Sequence, residues 1–362
     1  LASVDVNAVG AGGGSIAWFE RDGLMKVGPQ SAGASPGPAC YGQGGTEATV
    51  SDANLVLGRL SPQGLLGGGM ALDETAARQA LGAAAQRLDM SVERTAHGLL
   101  GIVVANMVRA IRTISVERGH DPRDFVLLPF GGAGPLHAAD VARALGITRM
   151  LVPPAPGILC ARGLVVSDLR EGFVISRLTP LAADAMAEIA ANLAELTDRA
   201  TAWFNQADVA GDARQMQYSL DMRYIGQNYE LQVELNDREG DLDTLRDGFF
   251  AVHERNYGYH NPDDPVEVVN LRVTAIGRLP VPDAAAAAKG MDTAAPLSHR
   301  PVWFDGEASV DTPVYDRDTL GPGHEFTGPA VIEQLDATTI LGPDDHCLVD
   351  DAGNLKIELH ND

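Results

Sequence analysis

The chain has 362 residues, 45% hydrophobic and 21% charged, enough for two or three domains with ordinary cores. Its formal net charge of −22 and pI near 4.7 exclude the clustered Lys and Arg through which nucleic acid and anionic membranes are bound. The acidity reads as solubility. No uncharged apolar run reaches the roughly 20 residues of a bilayer span, and Gly98 to Val108 reads as a buried helix segment. The start, LASVDVNAVGAGGGSIAWF, has neither an initiator Met nor the layout of a signal peptide, so the chain reads as cut at its front. Cys40, Cys160 and Cys347 follow no metal-ligand or redox spacing, suit a reducing cytosol and read as bystanders.

From Val4 to Leu60, Gly and Pro are dense and the apolar pieces SIAWF and LMKVG predict short strands between tight turns. Asp73 to Leu88 reads as a helix. Ser91 caps a longer one to about Arg118, with a stripe at Ala96, Leu99, Leu100, Val103, Met107, Ile111 and Ile114, and Gly119 as C-cap. An apolar segment, Phe125 to Phe130, then passes through a nearly side-chain-free turn into a helix with Pro135 in its first turn and Gly146 at its end. A second apolar segment, Arg149 to Val152, follows. Strand, turn, helix, strand is the crossover of an α/β domain, whose ligands sit at the carboxyl ends of strands.

After Ser176 the pattern becomes α+β. A helix over about Ala182 to Ala207 precedes the alternating strands QMQYSLDMRYI and YELQVEL, a helix over Leu242 to Asn256, and a strand over Val266 to Thr274. PVPDAAAAAKGMDTAAPLSH reads as a linker, and PVWF, PAVIEQ and LKIEL as strands of a small β module. The division expected is therefore 1–175, 176–280 and 281–362.

Three stretches are candidates for a site. Gly131, Gly132, Ala133, Gly134 and His137 match neither a P-loop nor a dinucleotide fingerprint. Their bare turn either admits a ligand to the backbone and helix N-terminus or lets helix and sheet pack closely. Gly12, Gly13, Gly14 and Ser15 form either an anion-binding nest or a hairpin corner. The aperiodic run from Gly28 to Leu60 offers Ser31, Gly33, Ser35, Tyr41, Asp52 and Asn54, of which Asp52 and Asn54 also suit caps of the following turn. His120, His253 and His260 fall in no ligand spacing and read as ordinary surface or core histidines, with no metal site assigned. Glu117 and Arg118 either act in catalysis or merely finish a helix. No catalytic residue is assigned.

VGAGGGSIAW, the run from Val27 to Leu60, ISVERGHDPRDF and FGGAGPLHA resemble the hydantoinase A/5-oxoprolinase family, whose relatives include acetone and acetophenone carboxylase subunits. RYIGQNYEL, HERNYGY, VEVVNLRV and GPAVIEQLDATTILGP extend the resemblance over essentially the whole chain. It implies an α/β, ribonuclease-H-like or actin-like ATPase domain, here partial, then an α+β domain and a small β module. It further implies a cytoplasmic, bacterial enzyme, an origin to which the excess of Arg (24) over Lys (3) also points. This enzyme uses ATP and Mg²⁺ to open a hydantoin, 5-oxoproline or related cyclic amide, in a hetero-oligomer with a hydantoinase B-type subunit. Alternatives are a ketone carboxylase subunit and a non-catalytic nucleotide-binding module. On this resemblance Gly131 to Gly134 and His137 lie on the adenosine side, and the loops holding Gly12, Gly13, Gly14, Ser15, Ser31, Gly33, Asp52 and Asn54 face phosphate or substrate. The family's Asp-x-Gly-Gly-Thr phosphate loops are missing: Gly44-Gly45-Thr46 has Gly42 in the acidic position. The chain is therefore expected to be the C-terminal part of a longer polypeptide, inactive as an ATPase alone.

Overall fold

The computed structural model describes residues 7–65, 67–236, 240–280 and 293–360. The described residues fall into two compact units, one formed by residues 7–162 together with 293–360, the other by residues 163–280. This differs from the three-part expectation in two respects: the C-terminal strands belong with the N-terminal segment instead of forming a module of their own, and the other unit begins at residue 163 instead of 176. Most of the expected linker, residues 281–292, lies outside the described residues.

In chain order the first segment gives strands β1 (Ser15–Phe19) and β2 (Met25–Ser31), then helices α1 (Val50–Val56), α2 (Glu74–Leu88) and α3 (Val92–Ile114). Helix α4 (Gly134–Leu145) and strand β3 (Arg149–Val152) follow. α1 is absent from the sequence expectation because its seven residues are too few to show a helical period. Ser91 caps α3 as expected, accepting from Arg94 N–H at 3.2 Å, and Asp73, expected as the first residue of α2, is its cap, accepting from Ala76 N–H at 3.0 Å. The long helix stops at Ile114, and Gly119 instead caps the 3₁₀ turn Val116–Arg118 that follows. By length and a mean hydropathy of 1.6, this helix is long and apolar enough to cross a membrane. Its stripe through Ala96, Leu99, Leu100 and Val103 is nevertheless buried in a core shared with α1 and α2, the place of a core helix. The segment Phe125 to Phe130 is not a full strand. It touches β3 through one parallel bridge, Leu127 to Met150, and Phe125, Val126, Leu128 and Phe130 stay exposed.

The second unit begins near helix α5 (Leu159–Val165) and strand β4 (Leu169–Pro180), the latter missing from the sequence expectation. Helix α6 (Met186–Gln206), strands β5 (Arg214–Tyr224) and β6 (Leu231–Leu235), helix α7 (Leu242–Tyr257) and strand β7 (Val266–Gly277) complete it. The antiparallel sheet runs β4-β7-β5-β6. Leu193 and Phe204 of α6 and Phe249 of α7 pack on Leu220, Met222, Leu271 and Val273 of the sheet.

The remaining strands are β8 (Ser298–Trp303), β9 (Ser309–Asp316), β10 (Glu325–Thr327), β11 (Ala330–Glu333), β12 (Thr338–Leu341), β13 (His346–Val349) and β14 (Leu355–Glu358). They build two sheets, β12-β11-β9-β8 and β10-β13-β14-β3, so strand β3 of the first segment closes a sheet otherwise made by the last. Leu355 to Glu358 pair antiparallel with Val152 to Arg149. Both cores of this unit draw on both segments: Leu99, Leu100 and Val103 pack with Val302, Val331 and Ile340, and Ala142, Leu145 and Met150 with Leu341 and Ile357.

Gly58, just after α1, shows how close the segments come. Its φ is +71°, and a Cβ there would collide with the Pro301 carbonyl oxygen of β8. Gly58→Ala is expected to cost about 2 kcal/mol or more of stability, through both backbone strain and the clash. Denaturant unfolding checks this; an unchanged midpoint would mean that β8 is not seated on the end of α1.

Candidate functional site

A cleft of about 920 Å³ in the first unit lies where four chain segments meet. One wall is the Gly13-Gly14 turn before β1 with the first turns of α1. The second is the Ser61 to Met70 loop, the third the start of α4, and the fourth the segment from Asp316 through Glu333 to Thr338. Of the residues singled out in the sequence, Gly13, Gly14, Tyr41, Asn54, Gly132, Ala133 and His137 line it together. Gly12, Ser15, Ser31, Gly33, Asp52, Gly131 and Gly134 do not.

The reasons are local. The Ser15 hydroxyl accepts from Gly12 N–H at 2.9 Å and reaches the Gly10 carbonyl at 3.3 Å, so it pins its own turn instead of facing a ligand. Ser31 Oγ accepts from Gly33 N–H at 3.1 Å in the same way. Asp52 is fully buried. Its carboxylate accepts from Cys40 N–H at 2.7 Å, Thr49 N–H at 2.9 Å, Thr49 Oγ1 at 2.7 Å and Ala39 N–H at 3.3 Å, while Thr49 caps α1 in return. The polar group expected to face phosphate or substrate is therefore a structural knot. Burial, together with the Asp52 charge, pushes the Cys40 thiol well up, and burial pushes Cys347 up to about 12.

The bare turn before α4 needs its glycines for two different reasons. Gly131 has φ +80°, and its N–H donates to the Pro156 carbonyl at 2.7 Å. Gly132 lies against the Asp336 backbone, where a Cβ would sit 3.2 Å from the carbonyl oxygen. Both conformation and close approach act here, and the cleft runs beside the result.

Asn54 is 1% exposed; its Nδ2 donates to the Val50 carbonyl at 2.9 Å, and its Oδ1 has no partner. His137, 2% exposed, has an unpartnered Nδ1. Burial, reinforced by the nearby Arg59 guanidinium and opposed by the Asp140 carboxylate, pushes its pKa down to about 4, so the imidazole is neutral at pH 7. Arg59, itself buried, donates to Asp140 at 2.7 Å. Burial raises the Asp140 pKa, but the Arg59 charge and hydrogen bond outweigh it and leave the carboxyl below its usual range.

The fourth wall was missed in the sequence, although its EQLDAT run carries the polarity that could have signalled it. Asp316, Asp318, Glu333 and Asp336 line the cleft, and no Lys or Arg does among its described lining residues. Glu333 is held by Arg300, whose guanidinium also donates to the carbonyls of Gly58 and Arg59. Asp336 accepts from Gly157 N–H at 2.8 Å and from Gln334 Nε2 at 2.6 Å. Among the described residues no group of three or more His, Cys, Asp or Glu is placed to hold a metal ion, so the cleft does not fit a protein-built Mg²⁺ cage.

The remaining candidates lie elsewhere. Glu117 Oε1 accepts from Thr113 Oγ1 at 3.3 Å at the end of α3, beside Arg118. His120 sets its ring edge-on to Phe125. His253, in the second unit, is buried among Tyr224, Phe249 and Tyr259 with its Nδ1 2.6 Å from the Tyr259 carbonyl, and His260 stacks on Phe250.

The family model described as Hydantoinase/oxoprolinase matches residues 1–172, and that of the Hydantoinase/oxoprolinase C-terminal domain matches residues 180–357. The chain belongs to the hydantoinase/oxoprolinase family. It is 42% identical over 352 residues to caprolactamase subunit alpha of Pseudomonas jessenii, covering 94% of this chain and 50% of that one. It is 31% identical over 374 residues to 5-oxoprolinase 1 of Arabidopsis thaliana, covering 98% of this chain and 29% of that one. The crystal structure of the ATP-dependent caprolactamase of Pseudomonas jessenii superposes with a TM-score of 0.76 at 38% identity, covering 96% of this chain and 52% of that one. The nucleotide-free structure of acetone carboxylase, an enzyme of ATP-dependent acetone carboxylation, gives 0.86 at 27% identity with the same coverage. The chain thus spans about half the length, or less, of these relatives.

Two outcomes follow from the site's chemistry. Asp52→Ala, which strands the Ala39 and Cys40 amides and the Thr49 hydroxyl, is expected to cost roughly 2–4 kcal/mol in denaturant unfolding, and Asp52→Asn less. His137 binds its proton more weakly folded than unfolded. Stability is therefore unaffected by it above its unfolded pKa and falls as the pH drops from about 6.5 to about 4, by on the order of 3 kcal/mol. His137→Gln is expected to flatten that acid limb; equal slopes for variant and wild type would show that burial does not hold the ring neutral.

Proposed function

We propose that this chain is part of an ATP-dependent cyclic amide hydrolase with an actin-like ATPase fold, and that the cleft receives the nucleoside end of ATP. The observation that carries the reading is the meeting of the Gly132-Ala133 turn, the Gly13-Gly14 turn, Asn54 and neutral His137 around one cleft that has acidic but no Lys or Arg lining among the described residues. Such a lining tolerates a neutral ring and repels a triphosphate. The phosphates and Mg²⁺ of this reading therefore belong to parts of a longer polypeptide or to a partner subunit. ATP, when bound, supplies a phosphoryl group that turns an inert amide oxygen into a leaving group. The residues here bind and orient: the glycines of the two turns admit the ring edge to the backbone.

The lactam reading draws on 42% identity to a caprolactamase subunit. The closer structural match to acetone carboxylase, TM-score 0.86 against 0.76, favours a second reading as a ketone carboxylase subunit. Relatives bearing the names caprolactamase subunit alpha and acetone carboxylase beta subunit support a hetero-oligomer, with a hydantoinase B-type chain as the expected partner.

The test is phosphate release from ATP by the whole polypeptide carrying this chain, co-purified with its partner, over hydantoins, 5-oxoproline and simple lactams. Stimulation by one ring compound, with ring opening, is expected. Stimulation only by a ketone with bicarbonate would replace the hydrolase with the carboxylase. Residues 1–362 alone are expected to release no phosphate above background.

A further inference from the structure

In the second unit, strand β4 forms one edge of the sheet β4-β7-β5-β6, and among the described residues no strand pairs with its outer side. It has twelve residues, against five in β6 at the opposite edge. Its ladder to β7 is regular from Leu169, opposite Gly277, to Ser176, opposite Asn270, and a bulge follows. Large apolar side chains stand bare along it: Leu169, Val174 and Leu178 are 37%, 38% and 61% exposed. A long edge of this kind is a template for another strand, and proteins that keep one bare guard it with charges of one sign, above all Lys. The exposed charges of β4 are of both signs, Arg170, Glu171 and Arg177.

The order of those residues fits an antiparallel copy of the same strand. A two-fold axis at Val174 sets Phe173 against Ile175 of the other copy, Gly172 against Ser176 and Glu171 against Arg177. Apolar meets apolar and carboxylate meets guanidinium, each on both sides of the axis. The faces agree too. Half-buried Phe173 and Ile175 pack on the core that α6 covers, and Arg177 Nε lies 2.5 Å from Glu188 Oε1 of α6, so these side chains and Glu171, in the same alternation, share one face. The guanidinium of Arg177 has further N–H groups for a second carboxylate. Neighbouring registers fail. An axis at Phe173 sets Glu171 against Ile175 and Arg177 against Leu169, and one at Ile175 sets them against Thr179 and Phe173. An axis between two residues opposes side chains of different faces.

We propose that β4 is a dimerisation edge, pairing antiparallel with β4 of a second copy of this chain about Val174 and joining the two sheets into one. Glu171 and Arg177 then act as lock and guard together: they meet opposite charge in this register and repel strands that bring like charge or a shifted alignment. Phe173 and Ile175 continue the core of each copy into the other. The inference is independent of what the cleft in the first unit binds.

The test is sedimentation velocity on the whole polypeptide carrying this chain, over a concentration series. Wild type is expected to dimerise. Glu171→Arg opposes guanidinium to guanidinium on both sides of the axis, and Arg177→Glu opposes carboxylate to carboxylate; each alone is expected to weaken the dimer by roughly tenfold or more. An equimolar mixture of the two variants is expected to regain it, because each strand then meets only opposite charge. That recovery also shows that neither variant lost the dimer by misfolding, although Arg177→Glu gives up the contact with Glu188. Val174→Lys, at an exposed position, sets two ammonium groups at the axis and is expected to weaken the dimer with the unfolding midpoint of the monomer unchanged. A wild type that stays monomeric, a dimer that all three substitutions leave intact, or a mixture no more dimeric than its components overturns the proposal.

Discussion

The cleft depends on a long-range constraint: the last strands of the chain must return to the first segment. β14 pairs with β3, and Arg300 on β8 joins the carbonyls of Gly58 and Arg59 to the carboxylate of Glu333. One guanidinium thereby fixes the end of α1 against β11, and the cleft lies between what they carry, Asn54 on one side and Gln334 on the other. Such pairing closes a large loop, and that entropy is offset only when both segments bury apolar surface together, as Val331, Ile340 and Leu341 do against α3 and α4.

Charge is arranged around that joint with unequal exposure. Arg59 is buried and paired with Asp140, so its charge is compensated, yet it stands close enough to His137 to reinforce the burial that keeps the imidazole neutral. The carboxylate residues of the fourth wall line the cleft, with Glu333 held by Arg300 and Asp336 by Gly157 N–H and Gln334. The cleft thus combines a neutral imidazole and amide with acidic residues along one wall.

Much of the fold was legible because its longer elements announce themselves. The α3 stripe has a clear period and a Ser cap, α4 lies between Pro135 and Gly146, β5 alternates apolar and polar residues, and β7 is rich in Val. Three features were hidden for physical reasons. α1 is two turns long and is fixed by a carboxylate contacting residues up to 13 positions away, which no local period reveals. β4 has alternating residues exposed on both faces, so it lacks the signature of a half-buried strand. The third is the union of the C-terminal strands with β3, a tertiary pairing that a composition break at residues 280–299 conceals.

The site was legible in part for the same reason. Glycine runs mark where backbone comes close to something, and they led to Gly13, Gly14, Gly132 and Ala133. They did not tell which neighbouring polar residue faces the cleft. Asp52 and Asn54 sit two apart on one short helix and look alike as capping residues, yet the first spends its oxygens on four protein donors and the second keeps one oxygen unpaired. What separates them is the helix turn between them: it aims one side chain at the Ala39-Cys40 backbone and leaves the other on the wall of the cleft. A helix step of two residues swings a side chain by more than half a turn, so a residue committed to a structural knot and one on the wall of the cleft can stand almost side by side in the sequence.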